Sequence, residues 1–167
     1  MIYRNKQGLV HRDDGPAIMQ SNGSGAWYLN GLRHRDDGPA VDWLEGITAR
    51  KEWWVHGKRH RVGGPAVIYN NGTQAWWLND RLHRTDGPAV IESDGTQLWY
   101  YHGERHRANG PAVIEPDDTQ MWYSNGQLHR DDGPAVEFAN GVKEWWVNGQ
   151  EMTQFEHWVL TGAKEVA

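Results

Sequence analysis

The heptad His-Arg-x-x-Gly-Pro-Ala occurs six times in 167 residues, beginning at His11, His34, His60, His83, His106 and His129. The intervals are 23, 26, 23, 23 and 23 residues. A period of this length marks a repeat architecture, in which each unit is too small to bury its own apolar surface and does so by stacking on its neighbours. The pattern runs through nearly the whole chain, so one domain is expected. It comprises a β-hairpin array over residues 1–152 and a short capping helix over residues 153–167.

Between Gly87 and Asn109 the unit reads as two short strands around a turn. Ala89 to Glu92 is β-prone, Asp94-Gly95 is a two-residue hairpin turn with positive φ at both positions, and Gln97 to Tyr101 is the returning strand. The same turn recurs at Asn22-Gly23, Asn71-Gly72 and Asn140-Gly141, and is weaker at Asp117-Asp118, where the glycine is missing. A second pair follows the aromatic strand at Asn30-Gly31, His56-Gly57, His102-Gly103, Asn125-Gly126 and Asn148-Gly149. It could open a third strand at Arg105 to Arg107. Three antiparallel strands per unit would reverse direction at every repeat, however, so His-Arg is assigned to a connector between two-stranded units.

With the turn at Asp94-Gly95, Val90 stands opposite Trp99 and Ala89 opposite Tyr100, sending neighbouring aromatics to opposite faces. One ladder is then Trp27, Trp53, Trp76, Trp99, Trp122 and Trp145, and the other is the mixed series Tyr28, Trp54, Trp77, Tyr100, Tyr123 and Trp146. Equivalent rings recur at about 9.6 Å, twice the strand spacing, which leaves slots between them. At the C-terminus, Thr153 and Glu156 form a capping box that opens a short helix with Phe155, Trp158 and Val159 on one side, placed to cover the last strand.

Trp27, Asn30, Gly31, His34 and Gly38, and again Trp122, Asn125, Gly126, His129 and Gly133, together with the 23-residue period, resemble the MORN repeat. The resemblance covers about residues 3 to 150. It implies an all-β fold: an elongated, twisted antiparallel sheet of about six stacked hairpins. Bacterial and viral variants of the repeat imply a regulator or inhibitor, including a phage-encoded protein acting on host machinery. The fixed Arg-x-x-Gly-Pro-Ala extension is a departure from the family pattern.

Mean hydropathy is −0.83, which leans toward disorder, but 11 Trp and 6 Tyr supply the large aromatic surface of an ordered chain. A net charge of −5 argues against duplex nucleic acid and anionic membranes, which need a basic footprint. With no cysteine, disulfides and thiolate-bound metals are excluded. No apolar run is long enough for a signal peptide core or a membrane span, so the expected compartment is the cytoplasm. Nine histidines suggest a metal site, but equivalents such as His34, His60 and His83 should lie about 9.6 Å apart, too far to share one ion. No metal or cofactor is therefore expected, and the histidines read as structural. Ser21, Ser24, Ser93 and Ser124 lack the partners of a nucleophile, and no phosphate-binding glycine motif is present, so an enzyme is not expected.

The connector arginines can pair with Asp14, Asp37, Asp86 and Asp132 or stack on rings. Gly63 and Asn109 replace that acid in two units, making Arg61 and Arg107 the anion-binding candidates. The three-residue insertion between Val41 and Trp53 places Trp43 and Ile47 in or near a hairpin tip, either as an exposed partner anchor or packed back on the sheet. The leading expectation is a non-catalytic protein that binds another protein, with Tyr28, Trp43, Trp54, Trp77, Tyr100, Tyr123, Arg61 and Arg107 as candidate contact residues. The alternatives are a small-molecule binder or sponge, with ring slots and arginines taking a planar, nucleotide-like or sugar ligand, and a purely structural protein. The partial first unit, Tyr3 to Val10, leaves a sheet edge or face for homo-oligomerisation.

Overall fold

A computed structural model of the chain describes residues 1–46 and 49–163. The fold is all-β with one short C-terminal helix, and the chain forms two compact units, Met1–Leu82 and His83–Ala167. In the first unit an antiparallel sheet runs in chain order through Ile18–Met19, Gly25–Ala26, Val41–Trp43, Arg50–Glu52, Val67–Tyr69 and Gln74–Ala75. The second unit repeats the arrangement with Val90–Ile91, Gln97–Leu98, Val113–Ile114, Gln120–Met121, Val136–Glu137, Lys143–Val147 and Gln150–Met152.

The repeat contains a second element that strand parity did not predict. After each sheet hairpin but the last the chain forms a separate two-stranded ribbon, as in Tyr28–Leu29 with Leu32–Arg33, Trp54–Val55 with Lys58–Arg59, and Tyr100–Tyr101 with Glu104–Arg105; at the last, Lys143–Val147 runs on unbroken to pair with Gln150–Met152. Each such repeat then holds an even number of strands, so direction is preserved without eliminating the strand at Arg105. His106 and Arg107 themselves lie beyond that strand, in the connector.

The two kinds of turn are also exchanged relative to expectation. The second pair makes the two-residue turn with both φ positive: Asn30 at 47° with Gly31 at 85°, and His102 at 52° with Gly103 at 95°. The first pair sits in a longer loop in which Gly95 donates to the Glu92 carbonyl (3.0 Å) and Glu92 N–H donates to the Thr96 carbonyl (2.9 Å). Gly95 alone has positive φ there, at 98°, and Asp118 at 71° takes that role where the glycine is missing. The longer loop shifts the register by one residue, pairing Val90 with Leu98 rather than with Trp99. Trp99 is instead the corner between sheet and ribbon. Its N–H donates to the Ala112 carbonyl (2.8 Å), and its carbonyl accepts from His106 N–H (3.2 Å).

The core is built from the last heptad residue. Ala17, Ala40, Ala66, Ala89, Ala112 and Ala135 are all fully buried, and Val41, Val67, Val113 and Val136 follow them into the interior. At the longer hairpin, Trp43 is a half-buried strand residue packed on Ala26, Ala40, Val41 and Trp54, not an exposed tip. Ile47 lies outside the described residues. Leu44, next to Trp43 in the chain, is exposed, its N–H bonded to Ser24 Oγ (3.0 Å). No helix among the described residues is long and apolar enough to cross a membrane.

Candidate functional site

The heptad side chains are largely committed to the frame. Each connector arginine folds back over its own glycine. Arg35 donates from Nε to Asp37 (2.7 Å) and from Nη1 to the Pro39 carbonyl (3.3 Å), and its guanidinium lies 4.2 Å from the Trp27 ring centroid. Arg130 repeats this on Asp132, Pro134 and Trp122. The guanidinium holds the carboxyls of Asp14, Asp37, Asp86 and Asp132 below their ordinary range, mainly through the side-chain hydrogen bond. Arg61 and Arg107 keep the carbonyl bond, to Pro65 (3.1 Å) and Pro111 (3.0 Å), and the ring contact, to Trp53 (3.8 Å) and Trp99 (4.0 Å). With Gly63 and Asn109 in place of the aspartate, Arg61 and Arg107 make no ion pair among the described residues like those of Arg12, Arg35, Arg84 and Arg130.

The histidines clamp neighbouring repeats. Nδ1 of His11, His34, His83, His106 and His129 accepts the backbone N–H of Asn30, His56, His102, Asn125 and Asn148 respectively, at 3.0–3.3 Å. That acceptor role leaves the proton on Nε2, which faces Asp13 (3.1 Å), Asp36 (3.4 Å) and Asp131 (3.6 Å) at three of these joints. Among the described residues no group of three or more His, Asp or Glu is placed to hold a metal ion.

The mixed ladder does not leave open slots in the places where its rings adjoin a ribbon arginine. Arg33 lies over both Tyr28 (5.9 Å) and Trp54 (5.0 Å), Arg59 over both Trp54 (5.1 Å) and Trp77 (4.7 Å), and Arg105 over both Tyr100 (5.9 Å) and Tyr123 (5.5 Å). Arg33 and Arg105 also donate from Nε to the hydroxyls of Tyr28 (3.0 Å) and Tyr100 (3.1 Å). These arginines stand on the ribbon strands that strand parity did not predict, so they are absent from the candidate contact residues expected from the sequence. Thus Tyr28 and Trp54, Trp54 and Trp77, and Tyr100 and Tyr123 are brought together through an arginine. Arg61 and Arg107 stand on the other ladder, and Trp43 lies in the core cluster beside Tyr28 and Trp54.

One stretch of the mixed ladder departs from the rest. The Trp54 indole donates to buried Glu52 (2.6 Å) and the Trp146 indole to Glu144 (3.0 Å), each glutamate lying two residues earlier in the chain. Trp77 has Ala75 in that position, and its buried Nε1 has no partner among the described residues. A concavity of about 340 Å³ opens there, lined by Arg50, Glu52, Arg59, Tyr69, Ala75 and Trp77 among others. No family model matches the chain, and no curated protein matches it.

Proposed function

We propose that the chain is a MORN-like, non-catalytic binding protein that engages another protein as a regulator or inhibitor. The observation that supports this is the orientation of the helix Gln154–Thr161. Thr153 caps it, donating its N–H to Glu156 Oε2 (2.8 Å) and accepting Glu156 N–H (3.2 Å). The residue turned inward is His157, fully buried with Nε2 on the Arg130 carbonyl (2.7 Å). Of the side expected to cover the last strand, Trp158 is half-buried, whereas Phe155 and Val159 are 71% and 70% exposed and, with the neighbouring Leu160 at 64%, face solvent.

A convex apolar face on a capped helix suits another macromolecular surface, whereas a small ligand needs a concave site. The sponge reading also loses the slots that Arg33, Arg59 and Arg105 fill. The test compares partner capture by the full chain and by the double variant Phe155→Ser, Val159→Ser. Loss of capture at unchanged thermal stability is expected, since exposed substitutions of this kind shift stability by only about 0.5 kcal/mol. Capture retained by the variant sinks the reading. A concentration-dependent dimer of the purified chain that the variant abolishes assigns the face to a second copy instead.

A further inference from the structure

The ladder itself specifies what is missing at Ala75. Wherever Trp54 or Trp146 stands in the mixed ladder, a glutamate two residues before it accepts the indole N–H. Tyr28, Tyr100 and Tyr123 have Ala26, Leu98 and Met121 at that place, and a tyrosine has no indole donor to satisfy. In this ladder Trp77 alone combines an indole with a side chain that cannot accept, and leaving a buried donor unpaired is destabilising.

The charge in the adjoining concavity fits the same deficit. Glu52 is already matched by Arg50 and by the Trp54 indole. Arg59 is held between the Trp54 and Trp77 rings, and among the described residues no acceptor pairs with its guanidinium. Two arginines against one glutamate leave the concavity with an excess positive charge, beside the ring of Tyr69. From the unpaired indole donor, the uncompensated guanidinium and the truncated side chain we infer that this concavity binds a carboxylate carried on a planar or aliphatic body. The carboxylate takes the place that Glu52 and Glu144 occupy in their own units, and its body lies against Tyr69. This inference does not rest on the helix reading, and the Phe155→Ser, Val159→Ser variant keeps the site intact.

Two sources share this chemistry: a free organic acid, and an acidic side chain presented by a polypeptide. The probes are benzoate for the first, N-acetylglutamate α-amide for the second, and benzamide as the neutral control. The readout is the indole N–H resonance of Trp77, assigned with Trp77→Phe. A saturable downfield shift with benzoate or the glutamate derivative is expected, and the tighter of the two identifies the source. Ala75→Glu supplies the carboxylate internally, so it should raise the melting temperature and abolish the titration. Arg59→Gln should weaken binding by about tenfold through loss of a charge-assisted bond, and this variant carries the test if Ala75→Glu does not fold. No shift with either acid, an equal shift with benzamide, or undiminished binding in both variants overturns the inference.

Discussion

At the scale of single residues, the heptad is a set of interlocking requirements. Histidine supplies an acceptor to the next turn, arginine joins aspartate, proline carbonyl and tryptophan ring, and alanine fills the core. The glycine is there for space: a Cβ on Gly38 would lie 3.0 Å from Arg35 Cζ, and one on Gly133 the same distance from Arg130 Cζ. Gly38→Ala should therefore push the guanidinium off Trp27 and away from Asp37, at a cost of about 1–2 kcal/mol in urea denaturation. A double-mutant cycle gives the decisive comparison. In an Arg35→Ala background the glycine substitution should cost almost nothing, and an undiminished cost there means that the glycine serves the backbone rather than the arginine.

At the scale of elements, the joint between hairpins is where pH acts. His83 Nδ1 accepts the His102 N–H at 3.1 Å, and burial, reinforced by the charge of His102, pushes the His83 pKa below 6.5. The unfolded chain takes up this proton near 6.5 and the folded chain only at lower pH, so the contribution is complete above 6.5 and declines as pH falls below it. Melting temperature should drop across that window. His83→Gln, whose amide oxygen can accept the same bond without titrating, should drop less; equal drops would remove His83 from the account. The carboxyls of Asp14, Asp37 and Asp86 act separately, because their lowered values confine their loss to pH below 3.8. Much of this element-level architecture was legible in the chain: the period, the His-Arg connector and the capping box all follow from repetition and local chemistry. The turn types were not, because Asn-Gly and Asp-Gly suit both a two-residue turn and a loop with one left-handed glycine. That single ambiguity moved the register at Val90 by one residue. Excluding the strand at Arg105 then hid the ribbon arginines, whereas the Glu52–Trp54, Glu144–Trp146 and Ala75–Trp77 comparison was available in the sequence throughout.

At the scale of the whole molecule, the hydrogen bonds that join repeats among the described residues link adjacent repeats. The bonds Asn30–His11, Asn22–Glu45, Asn5–Asn30 and His157–Arg130 span 19, 23, 25 and 27 residues. An array held by neighbour contacts gains stability as a sum of unit and interface contributions, so damage should remain near its origin. Ala112 provides a stringent place to apply it, being fully buried with its N–H on the Met121 carbonyl and its carbonyl on Trp99 N–H, both at 2.8 Å. Ala112→Leu overfills that position, and overpacking of this kind costs about 1–3 kcal/mol. Hydrogen exchange in mild denaturant should then show lost protection at Gln97–Leu98, Val113–Ile114 and Gln120–Met121, with Gly25–Ala26, Val41–Trp43 and Arg50–Glu52 unchanged. A uniform loss across both sets would mean that the chain unfolds as one cooperative body. Local loss would instead mean that the Ala75 concavity and the C-terminal helix can be altered independently, since each depends on its own neighbours for its geometry.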